Sequence, residues 1–185
     1  MSEERQRGSS AWNVPEFRPD LAFPKLSEDM VERLRGYGQE EPFGADVMLF
    51  RQGARQVDMF VVLEGEIEIS IPVEGGSKVI ANHRQFDFSG ELNLLNSQGT
   101  LVEARTVTES VVLRIPRGEL QRLMRAHGDI ANLITQATIW RRILIIGEAT
   151  GGIVVRGHAG DAETTELQRF LLRNSYPHQI GRAHV

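Results

Sequence analysis

Cysteine is wholly absent from the 185-residue chain. That excludes disulfides, thiolate metal sites and any thiol redox chemistry carried by this sequence. No apolar run approaches the roughly 18 residues of a membrane span, and Met1 to Asp20 lacks the apolar stretch of a secretory signal, so a cytoplasmic location is expected. Nor is there a surplus of positive charge. The 21 Lys and Arg against 25 Asp and Glu leave a net charge of -4, which gives no general attraction to nucleic acid or to anionic membranes. Arg114, Arg117, Arg122 and Arg125 make one locally basic segment, read here as a solvated helix face. The five histidines, His83, His127, His158, His178 and His184, lie far apart without ligand spacing or an accompanying carboxylate cluster, so no metal site is expected. No Gly-x-Gly-x-x-Gly follows a strand, and neither a flavin nor a nicotinamide has a site in these residues. Catalysis within the chain is not expected.

What is present is a chain that is 41% hydrophobic, enough for one packed domain, or one domain plus a fragment. Residues 1–24 are polar and broken by Pro15, Pro19 and Pro24, and read as a flexible arm. A short helix follows: Ser27 caps it, Glu28 and Asp29 occupy its first turn, Met30, Val31 and Leu34 form its stripe, and Gly36 and Gly38 stop it. From Phe43 to Ile115 the period shortens to two, in short β-type runs separated by Gly44, Gly53, Gly65, Gly75-Gly76 and Gly99, which implies an antiparallel barrel or sandwich. After Pro116 the helical period returns. Leu120, Leu123 and Met124 mark a short helix, and Ile130 to Leu144 a longer one, started by Asp129 and ended near Gly147.

The stretch Phe86 to Val107 organises the rest. An aromatic strand end turns through Ser89-Gly90, Glu91 opens a short apolar helical turn with Leu92, Leu94 and Leu95, and a polar loop returns to a β-branched segment. Gly90 lets backbone approach a ligand closely, and N–H groups opening a helical turn favour negative charge. The same residues also describe an ordinary turn into a helix.

Residues 43 to 147 resemble the cyclic nucleotide-binding domain family. The resemblance rests on Gly44-Ala45-Asp46-Val47-Met48-Leu49-Phe50-Arg51-Gln52-Gly53, then Phe60-Val61-Val62-Leu63-Glu64-Gly65-Glu66-Ile67-Glu68-Ile69, then Ser89-Gly90-Glu91-Leu92, in order and with two helices behind them. It implies an α+β fold: an antiparallel β-roll of the double-stranded β-helix or jelly-roll type, with an N-terminal helix, short and long C-terminal helices, and a partial β-α-β segment after them. The domain then covers residues 25–147, with Phe86 to Val107 as its phosphate-binding cassette.

Carried over residue by residue, Gly90 matches the glycine whose N–H meets a cyclic phosphate, and Glu91 the acid that takes the ribose 2′-hydroxyl. Ser89, Leu92 and Asn93 complete that turn. The family's late arginine, a fork of donors suited to phosphate, has no counterpart: with Thr106-Val107 on the family's ending, its position holds Glu103 and the next holds Ala104, and a slip across this longer cassette moves it to Val102 or Leu101, neither of them an arginine. Arg105 lies two residues on, on the same side of an extended strand as Glu103. It either supplies the cation from a shifted position or neutralises Glu103.

In residues 148–180, Ile153-Val154-Val155 reads as a strand, Asp161 as the N-cap of a helix carrying Leu167, Phe170 and Leu171, and Tyr176 to Ile180 as the start of another strand. This β-α-β start is similar to the glutaredoxin-like linker of proteins that fuse an N-terminal cyclic nucleotide-binding domain to a thioredoxin-reductase-like flavoprotein. Residues 157–161 hold no thiol, so the segment is a docking or spacer element. Residues 181–185 break the pattern and read as an appended tail.

The expected function is that of a regulatory module cut from such a flavoprotein. The chain has no cofactor of its own and a cyclic nucleotide as its possible ligand, while FAD and NADPH belong to the missing domain. Expected partners are that domain and a second copy of the chain, in a homodimer through Ile130 to Leu144, with no nucleic acid and no membrane. Two other readings stay open: the sensor of a cyclic-AMP-receptor-type transcription regulator, which needs a helix-turn-helix after the long helix, and a ligand-free dimerisation roll.

Overall fold

The computed structural model describes residues 17–73, 75–93, 99–150, 153–157, 162–173 and 178–182. They fall into two compact units, Arg18–Ile145 and a second that holds the residues from Ile146 onward.

The larger unit begins with a helical turn, α1 (Pro19–Ala22), and the helix α2 (Glu28–Arg35). Ser27 caps α2 by accepting from the Met30 N–H at 3.2 Å. Glu28 and Asp29 in its first turn and Arg33 and Arg35 in its last suit the helix dipole, and Val31 and Leu34 are buried. The expected arm is therefore shorter than residues 1–24. Residues 1–16 lie outside the described residues, but Ala22 is fully buried, because its carbonyl and the Phe23 ring serve the interior.

Eight strands follow: β1 (Gln39–Phe43), β2 (Met48–Phe50), β3 (Met59–Glu64), β4 (Ile67–Val73), β5 (Gly76–His83), β6 (Phe88–Ser89), β7 (Glu103–Thr106) and β8 (Ser110–Ile115). They form two four-stranded antiparallel sheets, ordered β1-β8-β3-β6 and β2-β7-β4-β5. This is the expected antiparallel β-roll with flanking helices. Strand β3 explains how the layers pack. Met59, Val61 and Leu63 join Leu34, Leu113, Ile115, Leu120, Leu123, Ile130 and Ile134 on the helix side. Phe60 and Val62 point the other way, into the roll interior with Phe50, Ile67, Ile69, Ile71, Ala104 and Val112. A strand covered on both faces must be apolar throughout, and Met59 to Leu63 is.

The helix α3 (Arg117–Ala126) and the helix α4 (Gly128–Thr150) complete this layer, α4 running on past Ile145. Up to Ile145, α4 buries Ile130, Ile134, Ala137, Thr138, Arg141 and Ile145, which recur at helical spacing on one face. Two of the four arginines of the basic segment are paired: Arg114 with Asp58 and Glu41, and Arg122 with Glu119.

In the second unit, β9 (Ile153–Gly157), α5 (Ala162–Arg173) and β10 (His178–Arg182) make a β-α-β unit with its two strands parallel, His178 opposite Ile153 and Arg182 opposite Gly157. The strand continues through Gly181 and Arg182, which sequence reasoning assigned to a tail. Main-chain pairing, which needs no apolar side chain, carries it there. Asp161 lies outside the described residues. No helix among the described residues is long and apolar enough to cross a membrane.

Candidate functional site

The cassette turn is built by backbone geometry. Ser89 pairs with Phe60 across β6 and β3. Gly90 then adopts φ +93, in the left-handed region, and a Cβ there would collide with the Asp58 carbonyl oxygen. Only glycine meets both demands. A single 3₁₀ turn, Glu91–Asn93, follows. Leu92 packs against the roll interior. Leu94 and Leu95 lie outside the described residues.

Glu91 does not face solvent. It is fully buried, and its Oε1 accepts from Arg141 Nη1 at 2.8 Å. The same nitrogen donates to the Phe88 carbonyl at 2.8 Å, and Arg141 Nε donates to the Ala22 carbonyl at 2.6 Å. The guanidinium also lies 4.5 Å from the Phe88 ring centroid and 5.4 Å from that of Phe23. One side chain of α4 thus ties together α1, the start of β6 and the cassette glutamate. Glu91 Oε2 and Arg141 Nη2 are buried without a hydrogen-bond partner in the protein. The carboxylate oxygen is an acceptor and the guanidinium nitrogen carries two N–H donors.

His83, at the end of β5, is buried within reach of the Arg141 charge. Its ring is held neutral, its pKa pushed well below the ordinary value of 6.5 first by burial and then by the Arg141 charge.

The late limb of the cassette is β7. Ala104 and Thr106 point inward and are buried, whereas Glu103 and Arg105 point outward. Thr106 is a latch: its Oγ1 donates to the Gly44 carbonyl at 2.7 Å and accepts from the Val47 N–H at 2.8 Å. Arg105 is engaged by two other carboxylates. Its Nη1 reaches Asp46 at 2.9 Å and its Nη2 reaches Glu68, its partner across the β4–β7 pair, at 3.2 Å. These contacts raise its pKa, the Glu68 hydrogen bond first.

Of the residues singled out from sequence, the structure brings Ser89, Gly90, Glu91 and Leu92 together at the turn, and sets Glu103 and Arg105 on the outer face of the second sheet. Sequence reasoning missed Arg141 as the partner of Glu91. A signal existed: Arg141 continues the buried stripe of Ile130, Ile134 and Ala137, and an arginine on a buried stripe demands an anion. A separate groove of about 520 Å³ is lined by Tyr37, Glu41, Asp58, Arg114, Glu119 and Arg122 among others and by no cassette residue.

Comparison with known proteins agrees with this geometry. Residues 40–127 match the family model described as cyclic nucleotide-binding domain. A cAMP-dependent protein kinase regulatory subunit from Mycosarcoma maydis is 28% identical over 112 residues, 60% of this chain and 20% of that protein. The patatin-like phospholipase domain-containing protein 7 of Mus musculus is 23% identical over 150 residues, 77% of this chain and 10% of its own. The chain thus spans a fifth or less of these curated relatives. Among solved structures, the catabolite activator protein of Thermus thermophilus aligns with a TM-score of 0.53 at 19% identity, over 80% of this chain and 61% of that one. The c-di-GMP-responsive regulator CLP of Xanthomonas campestris aligns with a TM-score of 0.56 at 19% identity, over 68% and 63%. At such identities the structural neighbours speak for the fold alone: the chain shares the antiparallel β-roll of these structures, and residues 40–127 are similar to the cyclic nucleotide-binding domain.

Proposed function

We propose that the β-roll is a regulatory module in which a nucleotide-type ligand at the cassette is sensed by α4 through Glu91 and Arg141. The buried pair carries this reading. Glu91 matches the family's ribose-binding acid by sequence, one of its carboxylate oxygens holds the long helix, and the other is left without a protein partner. A ligand hydroxyl taken by Oε2 therefore acts on the group that positions Arg141, and with it α4.

Cyclic AMP held in the family's pose binds weakly in this reading. By sequence Glu103 falls at the family's cation position, and Arg105 is engaged by Asp46 and Glu68. Two like charges about 4 Å apart repel by about 1 kcal/mol in water and about 4 kcal/mol at an effective dielectric of 20. Each 1.4 kcal/mol or so is tenfold in affinity, so binding falls from micromolar toward millimolar.

The module acts on a neighbouring domain rather than on a substrate of its own. The parallel β9-α5-β10 unit supports a thioredoxin-reductase-like flavoprotein as that neighbour, with FAD and NADPH bound by the flavoprotein's residues. The regulator reading draws on neighbours such as the catabolite activator protein, but it requires a helix-turn-helix where this chain has a strand, a helix and a parallel strand.

The test is a thermal-shift panel of cyclic AMP, cyclic GMP and other nucleotides, followed by calorimetry on Glu103→Arg and Arg105→Ala. A Glu103→Arg variant that gains tenfold or more for cyclic AMP, with Arg105→Ala unchanged from native, supports the reading. Loss of native binding on Arg105→Ala overturns the placement of the cation.

A further inference from the structure

Five arginines lie between Phe43 and Ile115. Three hold carboxylates: Arg84 holds Glu66, Arg105 holds Asp46 and Glu68, and Arg114 holds Asp58 and Glu41. The other two, Arg51 and Arg55, are exposed and make no ion pair among the described residues. They bracket the short loop that docks on the late limb of the cassette. The Gly53 N–H donates to the Thr100 carbonyl at 2.8 Å, the Thr100 N–H donates to the Ala54 carbonyl at 2.9 Å, and Gln52 Nε2 donates to the Leu101 carbonyl at 3.2 Å. The two backbones touch, for a Cβ on Gly99 would lie 2.5 Å from the Gly53 carbonyl oxygen. A third guanidinium stands beside them, Arg117 Nη1 donating to the Arg55 carbonyl at 3.3 Å.

We propose that Arg51 and Arg55 form the phosphate-binding site of this domain, supplying from the β2–β3 loop the cation that β7 lacks. The inference rests on the nucleotide reading above and names the charged group of that ligand. Guanidinium groups match phosphate oxygens with paired donors. Two of them without carboxylate partners, carried by a loop that three hydrogen bonds dock on one edge of the cassette, concentrate positive charge at that edge. Because both are exposed, their attraction is screened by salt, and binding weakens as ionic strength rises.

The experiment uses the whole chain, isotope-labelled for NMR and titrated with inorganic pyrophosphate and, separately, with cyclic AMP. Pyrophosphate is expected to shift the Arg51 and Arg55 Nε–H signals and the Thr100 and Leu101 amides. Arg51→Gln with Arg55→Gln should weaken it at least tenfold, while Arg84→Gln does not. An otherwise unchanged spectrum shows that the double variant is folded. Pyrophosphate binding that is absent from the native chain, or indifferent to the double change, overturns the site. Cyclic AMP binding that survives the double change overturns it too but leaves the regulatory reading standing. Pyrophosphate bound through these arginines with no nucleotide recognised upholds the site and removes the nucleotide reading.

Discussion

Glu91 and Arg141, fifty residues apart in the chain, meet at 2.8 Å with side chains 0% and 5% exposed. A pair so deeply buried gains little net stability over an apolar pair of the same volume, since both charges have left water. Its value lies elsewhere: neither partner can move without stranding the other. The cassette turn and α4 are therefore bound to share one conformation, and that is the property a sensor needs.

His83 should make the roll acid-sensitive. Its folded pKa lies well below 6.5, through burial and then Arg141. The unfolded chain thus binds a proton that the folded chain does not, and stability is complete above about pH 6.5 and falls as pH drops below it, by at most about 1.4 kcal/mol per pH unit for one proton. Urea denaturation between pH 7 and pH 5, on the native chain and on His83→Phe, is the check, with the extra slope expected only where the histidine is present.

Arg33 of α2 grips Asp129 in the first turn of α4, Nη1 to Oδ1 at 3.1 Å and Nη2 to Oδ2 at 2.6 Å. The Arg33 hydrogen bond, the largest cause, holds the Asp129 pKa down to about 2. The folded pKa is depressed, so this contribution is present above the ordinary carboxylate range and is lost as pH falls toward 2. NMR titration of the Asp129 carboxyl should give a midpoint near 2 and, in Arg33→Gln, a return toward 3.8.

The face of α4 turned away from the roll carries exposed Ile139 between Asn132, Gln136 and half-buried Ile143. We propose that a second copy of the same helix covers this face in a two-fold dimer. Light scattering at tens of micromolar is expected to give a dimer for the native chain and a monomer for Ile139→Glu. A native monomer at that concentration would sink this part of the account.

Much of this was legible in the sequence, and the exceptions share a cause. Ser27 announced the start of α2, and glycines and β-branched runs marked the strands, because caps and alternation are local. Gly90 was legible because a left-handed turn leaves few other choices. The fate of Glu91 was not, for its partner lies on another element and the i, i+4 pattern of α4 shows only that Arg141 is buried, not against what. Arg105 and Glu103 were correctly placed on one side of a strand, yet which carboxylates Arg105 would hold depended on β4 and on the Asp46 turn. Likewise β10 ran through Gly181 because its pairing is made by backbone, on which side-chain patterns are silent.

The most direct measurement is a double-mutant cycle in urea denaturation, with Glu91→Leu, Arg141→Met and the two combined. Each single change strands a buried charge and should cost about 3–5 kcal/mol, whereas the pair of changes leaves an apolar contact and should recover most of that loss. The account requires a coupling of about 2 kcal/mol or more between the two positions. Additive effects, within about 0.5 kcal/mol, would contradict it, because residues that do not feel each other cannot pass a signal from the cassette to α4.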